Sequence, residues 1–280
     1  MREIAAKSIS EAVARMCQRA NFVLSEDMLR SLRCSVERET NPVAKNTLTR
    51  ILRNAEVAET RSIPMCQDTG LVVVFAEVGQ DARITGGLLR DAINEGVRTG
   101  YREGFLRASV TGDPVQRKNT GDNTPAMLHT ELVAGDRLTL RLLAKGGGCE
   151  NMSRFKMLTP AAGVEGIVEF VVETAKIAGP NACPPLVVGV GVGGSFEVSA
   201  ILAKKSLLRE TGAPSLLPHL AELERTIIAG INASGIGPQG YGGDTTALAV
   251  HVEAAACHIA SLPVSVNIEC HAHRHQEVVL

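Results

Sequence analysis

Three cysteines far apart in the chain constrain its fold more than any other feature. They are Cys66 in PMCQDTG, Cys183 in NACPPL and Cys270 in VNIECHAHR. Cysteine is ordinarily a small buried hydrophobe, yet Pro64, Gln67 and Asp68 surround the first and Pro184 and Pro185 follow the second, and these are not core neighbours. Three thiolates gathered from separate loops suggest a metal centre. No fourth protein ligand is evident, and a cluster held by only three cysteines leaves one iron an open position that acts as a Lewis acid.

Composition narrows the classes. The 29 Lys and Arg against 30 Asp and Glu give a formal net charge of −1 without a long run of one sign, so general attraction to nucleic acid or an anionic membrane is not indicated. Aromatics are only 3% of residues and tryptophan is absent, which removes the stacking platforms of a single-strand nucleic-acid binder. Apolar runs such as LVVVFAEV stop well short of the roughly 18 residues a membrane helix needs. Glu3, Lys7, Glu11 and Arg15 interrupt any signal-like core at the N-terminus. Seven cysteines, an odd number in a chain too long to need disulfide staples, point to reduced thiols and a cytoplasmic protein.

The periodicity predicts a helical N-terminal layer over residues 1–60, with a second helix starting at Ser25 and a third at Asn41, where Pro42 takes the favoured first position. LVVVFAEVG from Leu71 reads as a buried strand, the segment from Gly87 as a helix, and residues 111–125 as a polar loop. LHTELVAGDRLTLRLLAK, with alternating runs about Ala134, Gly135 and Asp136, reads as a β-hairpin. A helix containing Val164, Ile167, Val171 and Ala175 ends at Gly179 and Pro180 and delivers Cys183 in a loop. The strand LVVGV, helices from Ser195 and Leu217, and strands TTALAVHVEAAA and LPVSVNIEC complete the chain. The expected fold is α/β: a single mixed domain over 1–280, with the helical layer and a mixed or antiparallel sheet covered by helices.

Four stretches carry a specific likeness. PMCQDTG, KGGGCENMSRFKMLTPAAG, NACPPLVVGVGVGG and GIGPQGYGGDTTALAV together resemble the alpha subunit of the class I fumarate hydratase and L-tartrate dehydratase family, from about Arg61 to Arg274. That resemblance implies a [4Fe-4S] cluster on Cys66, Cys183 and Cys270. It implies that Gln67 and Asp68 reach the substrate, Asp68 as the acid or base that exchanges a proton. Arg107 in YREGFLRAS matches an arginine that binds a substrate carboxylate, a task its guanidinium fork suits. A glycine of KGGGCEN contacts the substrate, Gly148 being the closest match beside Gly147, and consecutive glycines let backbone N–H groups turn toward an anion. The implied activity is hydration of fumarate to malate, with L-tartrate or a methylated C4 dicarboxylate such as mesaconate as alternatives. Further catalytic groups belong to a separate beta subunit, so the chain alone is expected to be almost inactive and to assemble as α2β2.

Other signals compete. Cys17, Cys34 and Cys257 lie in apolar helix or strand patterns and read as core. Cys149 stands where family members often carry serine, which makes it a spare thiol near the expected site and not an assigned ligand. Asn119, Asp122 and Asn123 have the character of a site-lining loop. Gly189, Gly191 and Gly194 spell a dinucleotide-binding pattern after a strand and before a helix, but the strand that should follow is missing; Gly235, Gly237 and Gly240 repeat it in the reverse context. His271, His273 and His275 beside Cys270 suggest zinc, against the plainer reading of a polar, partly exposed chain end. From a different class, the chain reads as a non-catalytic iron- or zinc-binding module that senses redox state.

Overall fold

The computed structural model describes residues 2–280. In chain order the elements are β1 (Arg2–Ala5), α1 (Ala6–Phe22), α2 (Glu26–Arg38), α3 (Pro42–Arg61), β2 (Leu71–Gly79), β3 (Ala82–Thr85), α4 (Leu89–Glu103), β4 (Met127–Val133) and β5 (Leu138–Lys145). Then come α5 (Gly147–Glu150), β6 (Arg154–Leu158), α6 (Gly163–Ala178), β7 (Leu186–Gly193), α7 (Phe196–Ser206), α8 (Pro218–Asn232), β8 (Ala247–Ala255), β9 (Leu262–Glu269) and β10 (His275–Val279). The fold is mixed α/β, as expected, and the N-terminal segment is helical. Asn41 caps α3, its Oδ1 accepting the N–H of Val43 at 2.9 Å and of Ala44 at 3.3 Å, with Pro42 in the first turn where a missing N–H costs nothing. No helix among the described residues is long and apolar enough to cross a membrane.

The elements gather into two compact units, each assembled from separate stretches of chain. The first holds residues up to Leu24, Ala55–Gly147 and Arg274–Leu280. Its sheet has the order β10-β5-β2-β4, with β2 antiparallel to β5 and parallel to β4. Val72, Val74 and Ala76 of β2 and Leu138, Leu140 and Leu142 of β5 bury one face together with Ile9, Val13 and Cys17 of α1 and Ile93, Val97 and Tyr101 of α4. Burial pushes the Cys17 thiol far above its ordinary range, so it stays a neutral core group.

This sheet corrects the hairpin reading. Both strands form, but β2 inserts between β4 and β5. From Val72 to Ala76 β2 is buried on both faces, which makes it a central strand with ladder bonds on both edges. The turn at Gly135 closes on the end of β2 instead, Asp81 N–H donating to Gly135 O at 2.9 Å and Gln80 N–H to Val133 O at 2.8 Å. Strands β1, β3, β6 and β10 were not expected. At four or five residues each they are too short for an alternating pattern to stand out.

The second unit comprises Ser25–Asn54 and Gly148–His273. Its sheet has the order β6-β9-β7-β8, with β9 antiparallel to both neighbours and β8 parallel to β7. The parallel partner of β7 thus arrives only after two helices. A Cβ at Gly189 would stand 2.1 Å from Ala203 O and one at Gly191 2.0 Å from Ser199 O. These glycines let α7 lie against β7, a packing role and not a phosphate loop. Cys257 proves exposed, in the turn between β8 and β9, because the strand ends at Ala255 and the alanine run extends the apolar pattern past it.

A buried polar network underlies this sheet. His251 on β8 is 1% exposed; its Nδ1–H donates to Ser206 O at 3.2 Å, and Nε2 has no partner among the described residues. Burial, helped by the positive charge of Arg209, lowers its pKa from 6.5 to about 4. Above pH 6.5 the histidine is neutral in both states. As pH falls toward about 4 the unfolded chain binds a proton that the folded chain refuses, and stability is lost. Between pH 7 and pH 5 the expected loss is about 2 kcal/mol. Urea titrations at both pH values, repeated on His251→Gln, check it: the variant should lack that part of the slope.

Candidate functional site

The loop that carries Cys66, Gln67 and Asp68 joins α3 to β2 and is tied down at nearly every residue. Met65 N–H donates to Asn21 O at 3.0 Å, and the half-buried Cys66 thiol donates to Gln67 Oε1 at 3.5 Å. Asp68 Oδ1 accepts the N–H of Gly70 at 3.0 Å, and Oδ2 the N–H of Gly147 at 2.8 Å. Arg274 is 2% exposed and donates through Nη1 to Asp68 O and, at 3.2 Å, to Asn21 Oδ1. The Tyr101 hydroxyl is a donor to both Thr69 O, at 2.8 Å, and Gly70 O, at 2.9 Å. Burial raises the Tyr101 pKa far above the usual phenol range, so it stays a donor at any physiological pH. A carboxylate whose two oxygens each face a backbone N–H keeps a fixed direction with no flexible partner.

The same unit brings Arg107 to this loop. Thr69, buried just before β2, donates its hydroxyl to Arg107 O at 2.9 Å. Fully buried Asn123 donates to Gly70 O at 3.2 Å and accepts the N–H of Ser109 at 2.7 Å, bracing both segments. The Arg107 side chain is exposed and forms no ion pair among the described residues. Of the other loop residues, Asn119 Nδ2 donates to Ala108 O at 3.0 Å. Burial would raise the Asp122 pKa, but hydrogen bonds from Thr124 and Arg98 hold it at about 2, a structural clamp.

The glycine run is split by the unit boundary. Gly147 is the residue that reaches Asp68, and a Cβ at the neighbouring Gly146 would stand 3.2 Å from Arg274 Nη2 and 3.4 Å from Asp68 Oδ2. Gly148 belongs to the second unit, where a Cβ would lie 3.6 Å from Asn181 O.

The second unit carries Cys183 and Cys270. Cys183 is exposed and left-handed at φ 51, a conformation uncommon for a residue with a side chain and characteristic of functional loops. Its carbonyl accepts a hydrogen bond from His271 Nδ1 at 3.0 Å, so the two cysteine loops adjoin. Gln239 Nε2 joins them, donating to Pro184 O at 2.8 Å and lying 3.1 Å from His271 Nδ1. A cavity of about 730 Å³ opens here, lined among others by Arg50, Asn54, Gln239, Tyr241 and His271. The Cys270 thiol has an unexpected neighbour: its sulfur, the Cys149 sulfur and a Glu269 carboxylate oxygen all lie within 4.8 Å of one another, and all three residues are buried. Glu269 has no local signal beyond its place at the end of β9.

Of the three histidines only His273 departs from the reading of a polar, partly exposed chain end; His271 and His275 are half-buried. His273 is 1% exposed and donates through Nε2 to Leu207 O at 2.7 Å, and His275 opens β10. They fall in different units, His271 and His273 in the second and His275 in the first, and no group holding all three is among the possible metal sites of the described residues.

Within the first unit, then, a carboxylate held by main-chain amides lies on a loop braced to the segment that carries an exposed arginine, and sequence comparison gives the chain a family. The sequence model described as "Fumarate hydratase (Fumerase)" matches residues 10–279. The chain is 40% identical over 273 residues to a protein of Methanocaldococcus jannaschii described as "Putative L(+)-tartrate dehydratase subunit alpha", covering 95% of each. It is 34% identical over 274 residues to the L(+)-tartrate dehydratase subunit alpha of Escherichia coli strain UTI89, covering 96% of this chain and 90% of that one. The K12 protein of the same name is 33% identical. This chain belongs to the class I fumarate hydratase and L-tartrate dehydratase family of hydro-lyases, and is of its alpha type.

Proposed function

We propose that the chain is the cluster-bearing alpha subunit of a hydro-lyase for C4 dicarboxylates, its 280 residues working as one alpha-subunit domain. The observation that carries this reading is the Asp68 carboxylate, aimed by Gly70 and Gly147 and braced through Arg274 and Tyr101. Dehydrating a hydroxy acid requires removal of a proton from carbon beside departure of hydroxide, and a base held in one orientation serves that step in either direction. In this scheme Asp68 exchanges the proton with the substrate. Arg107 takes one carboxylate through its fork, and Gln67 and the N–H of Gly148 help orient the substrate.

Cys66, Cys183 and Cys270 would hold the [4Fe-4S] cluster. Thiols are the ligands that iron–sulfur centres require, and the adjoining Cys183 and Cys270 loops support two of the three; Cys66 joins them on the sequence resemblance. When bound, the cluster supplies an iron with an open position, a Lewis acid for the departing hydroxyl. The names of the relatives move L(+)-tartrate, whose dehydration gives the enol of oxaloacetate, ahead of fumarate and of mesaconate-type substrates. Relatives called alpha subunits support a beta-subunit partner; the α2β2 assembly follows from the family resemblance and common oligomer symmetry, and the cytoplasmic setting from an odd number of cysteines that reads as reduced thiols.

Anaerobic assays with a co-expressed beta subunit test the proposal. L(+)-tartrate is expected to be turned over with a kcat/KM at least about tenfold above that for fumarate or mesaconate, a margin of 1.4 kcal/mol, while the chain alone is almost inactive. A cluster-loaded αβ complex inert toward all three would overturn it.

A further inference from the structure

Cys149 is not needed by the proposed chemistry, yet it is held with care. Its four-residue helix α5 is followed by a turn in which Met152 N–H donates to Cys149 O at 3.1 Å. That turn is pinned to the end of β9: Ile268 N–H donates to Ser153 Oγ at 3.2 Å, and Asn267 Nδ2 to Glu150 Oε2 at 3.1 Å. Lys204 on α7 pairs with the other oxygen of Glu150. The Cys149 thiol donates to Ala182 O at 3.5 Å, one residue before Cys183, and its sulfur lies within 4.8 Å of that of Cys270. The spare thiol thus stands between the two cysteine loops of its unit.

We infer that Cys149 and Cys270 form a modification site for peroxides, closing to a reversible disulfide whenever Cys270 is not engaged by metal. In the first step the Cys270 sulfur attacks one oxygen of hydrogen peroxide. The O–O bond breaks, an S–O bond forms, and water leaves with the thiol proton. In the second, the Cys149 sulfur attacks the resulting sulfenic acid: the S–S bond forms, the S–O bond breaks, and a second water carries off the Cys149 proton and the hydroxyl. Two thiols lose two electrons and one peroxide becomes two waters. A disulfide needs sulfurs about 2.05 Å apart, and a χ1 step between rotamer wells moves a sulfur by about 3 Å, so a rotation directed at the other thiol is of the size needed to close a gap of at most 4.8 Å. The consequence is protective: a sulfenic acid captured by a neighbouring thiol is spared irreversible oxidation to sulfinic acid. That consequence for cluster loading rests on the function proposed above; the pairing itself does not.

The test uses the full-length chain, loaded with iron and sulfide, then stripped anaerobically by chelation, treated with hydrogen peroxide, alkylated and mapped by peptide mass spectrometry. The expected product links the Cys149 and Cys270 peptides, is lighter by two hydrogens and is undone by dithiothreitol. In Cys149→Ser and Cys149→Ala, Cys270 should instead advance to sulfinic acid, and iron reloading after peroxide and dithiothreitol should fall several-fold below wild type. A Cys183–Cys270 link, no link at all, or variants that reload as fully as wild type would overturn the inference. Wild type that takes up no iron before peroxide would defeat the cluster reading instead, and the peptide map would still decide the pairing.

Discussion

Replacing Asp68 by asparagine is expected to lower kcat of the αβ enzyme by about 10²–10⁴-fold, the range lost when a positioned acid or base is removed, while iron content and binding of the beta subunit stay at wild-type levels. The substitution keeps the size of the side chain and one carbonyl oxygen. It replaces the other with an NH2 group that cannot accept the N–H of Gly70 or Gly147. The carboxylate proposed to exchange the proton is therefore lost with minimal change in shape. Because a cluster ligand precedes it in the proposed scheme, Cys66 must be checked by iron analysis on the same sample. A kcat within threefold of wild type, with iron retained, would remove Asp68 from the reaction.

Arg274→Ala is expected to lower both stability and turnover. The side chain is buried, and its Nη1 serves Asp68 O and Asn21 Oδ1. Truncation strands these acceptors and leaves a cavity, at a cost of about 3 kcal/mol for charge-assisted bonds, or a fall in Tm of about 6 °C for a chain of this size. Turnover falls further, because the carbonyl that loses its donor belongs to Asp68 itself and the carboxylate's direction loosens with it. Arg274→Lys should recover only part of the loss, since a point charge does not replace a planar fork. Calorimetry and steady-state kinetics on both variants check this. Unchanged Tm and kcat in the alanine variant would show that the loop is held by Tyr101 and Asn123 alone.

Strands and helices with long periodic patterns were legible in the sequence: β2, α6, α8 and β9 stand where apolar spacing puts them. Pairing was not. Whether β4 and β5 pair with each other or accept β2 between them depends on β2 burying both faces, a property of the assembled sheet and not of the loop at Gly135. The site divides the same way. Of the proposed site residues, Cys66 and Asp68 stand out because polar and reactive residues close to Pro64 and Gly70 are poor core material, whereas Arg107 is singled out by the family resemblance alone. Their supports do not stand out: Tyr101 looks like one more apolar position of α4, and Arg274 lies in a histidine-rich tail whose next residues turn out to be a strand. Nothing local to Cys149 tells that it meets Cys270 across the sheet end, because the contact is made by the turn that Ser153 fixes to Ile268.

The central claim, a cluster on three cysteines, is tested most directly by anaerobic iron and sulfide analysis with EPR on wild type, Cys66→Ser, Cys183→Ser and Cys270→Ser, with Cys149→Ser and Cys257→Ser as controls. The account predicts about four irons per chain, lost in each of the first three variants and kept in both controls. A wild-type chain that assembles no cluster, or one whose iron survives loss of Cys66, Cys183 or Cys270 but not of Cys149, would contradict it.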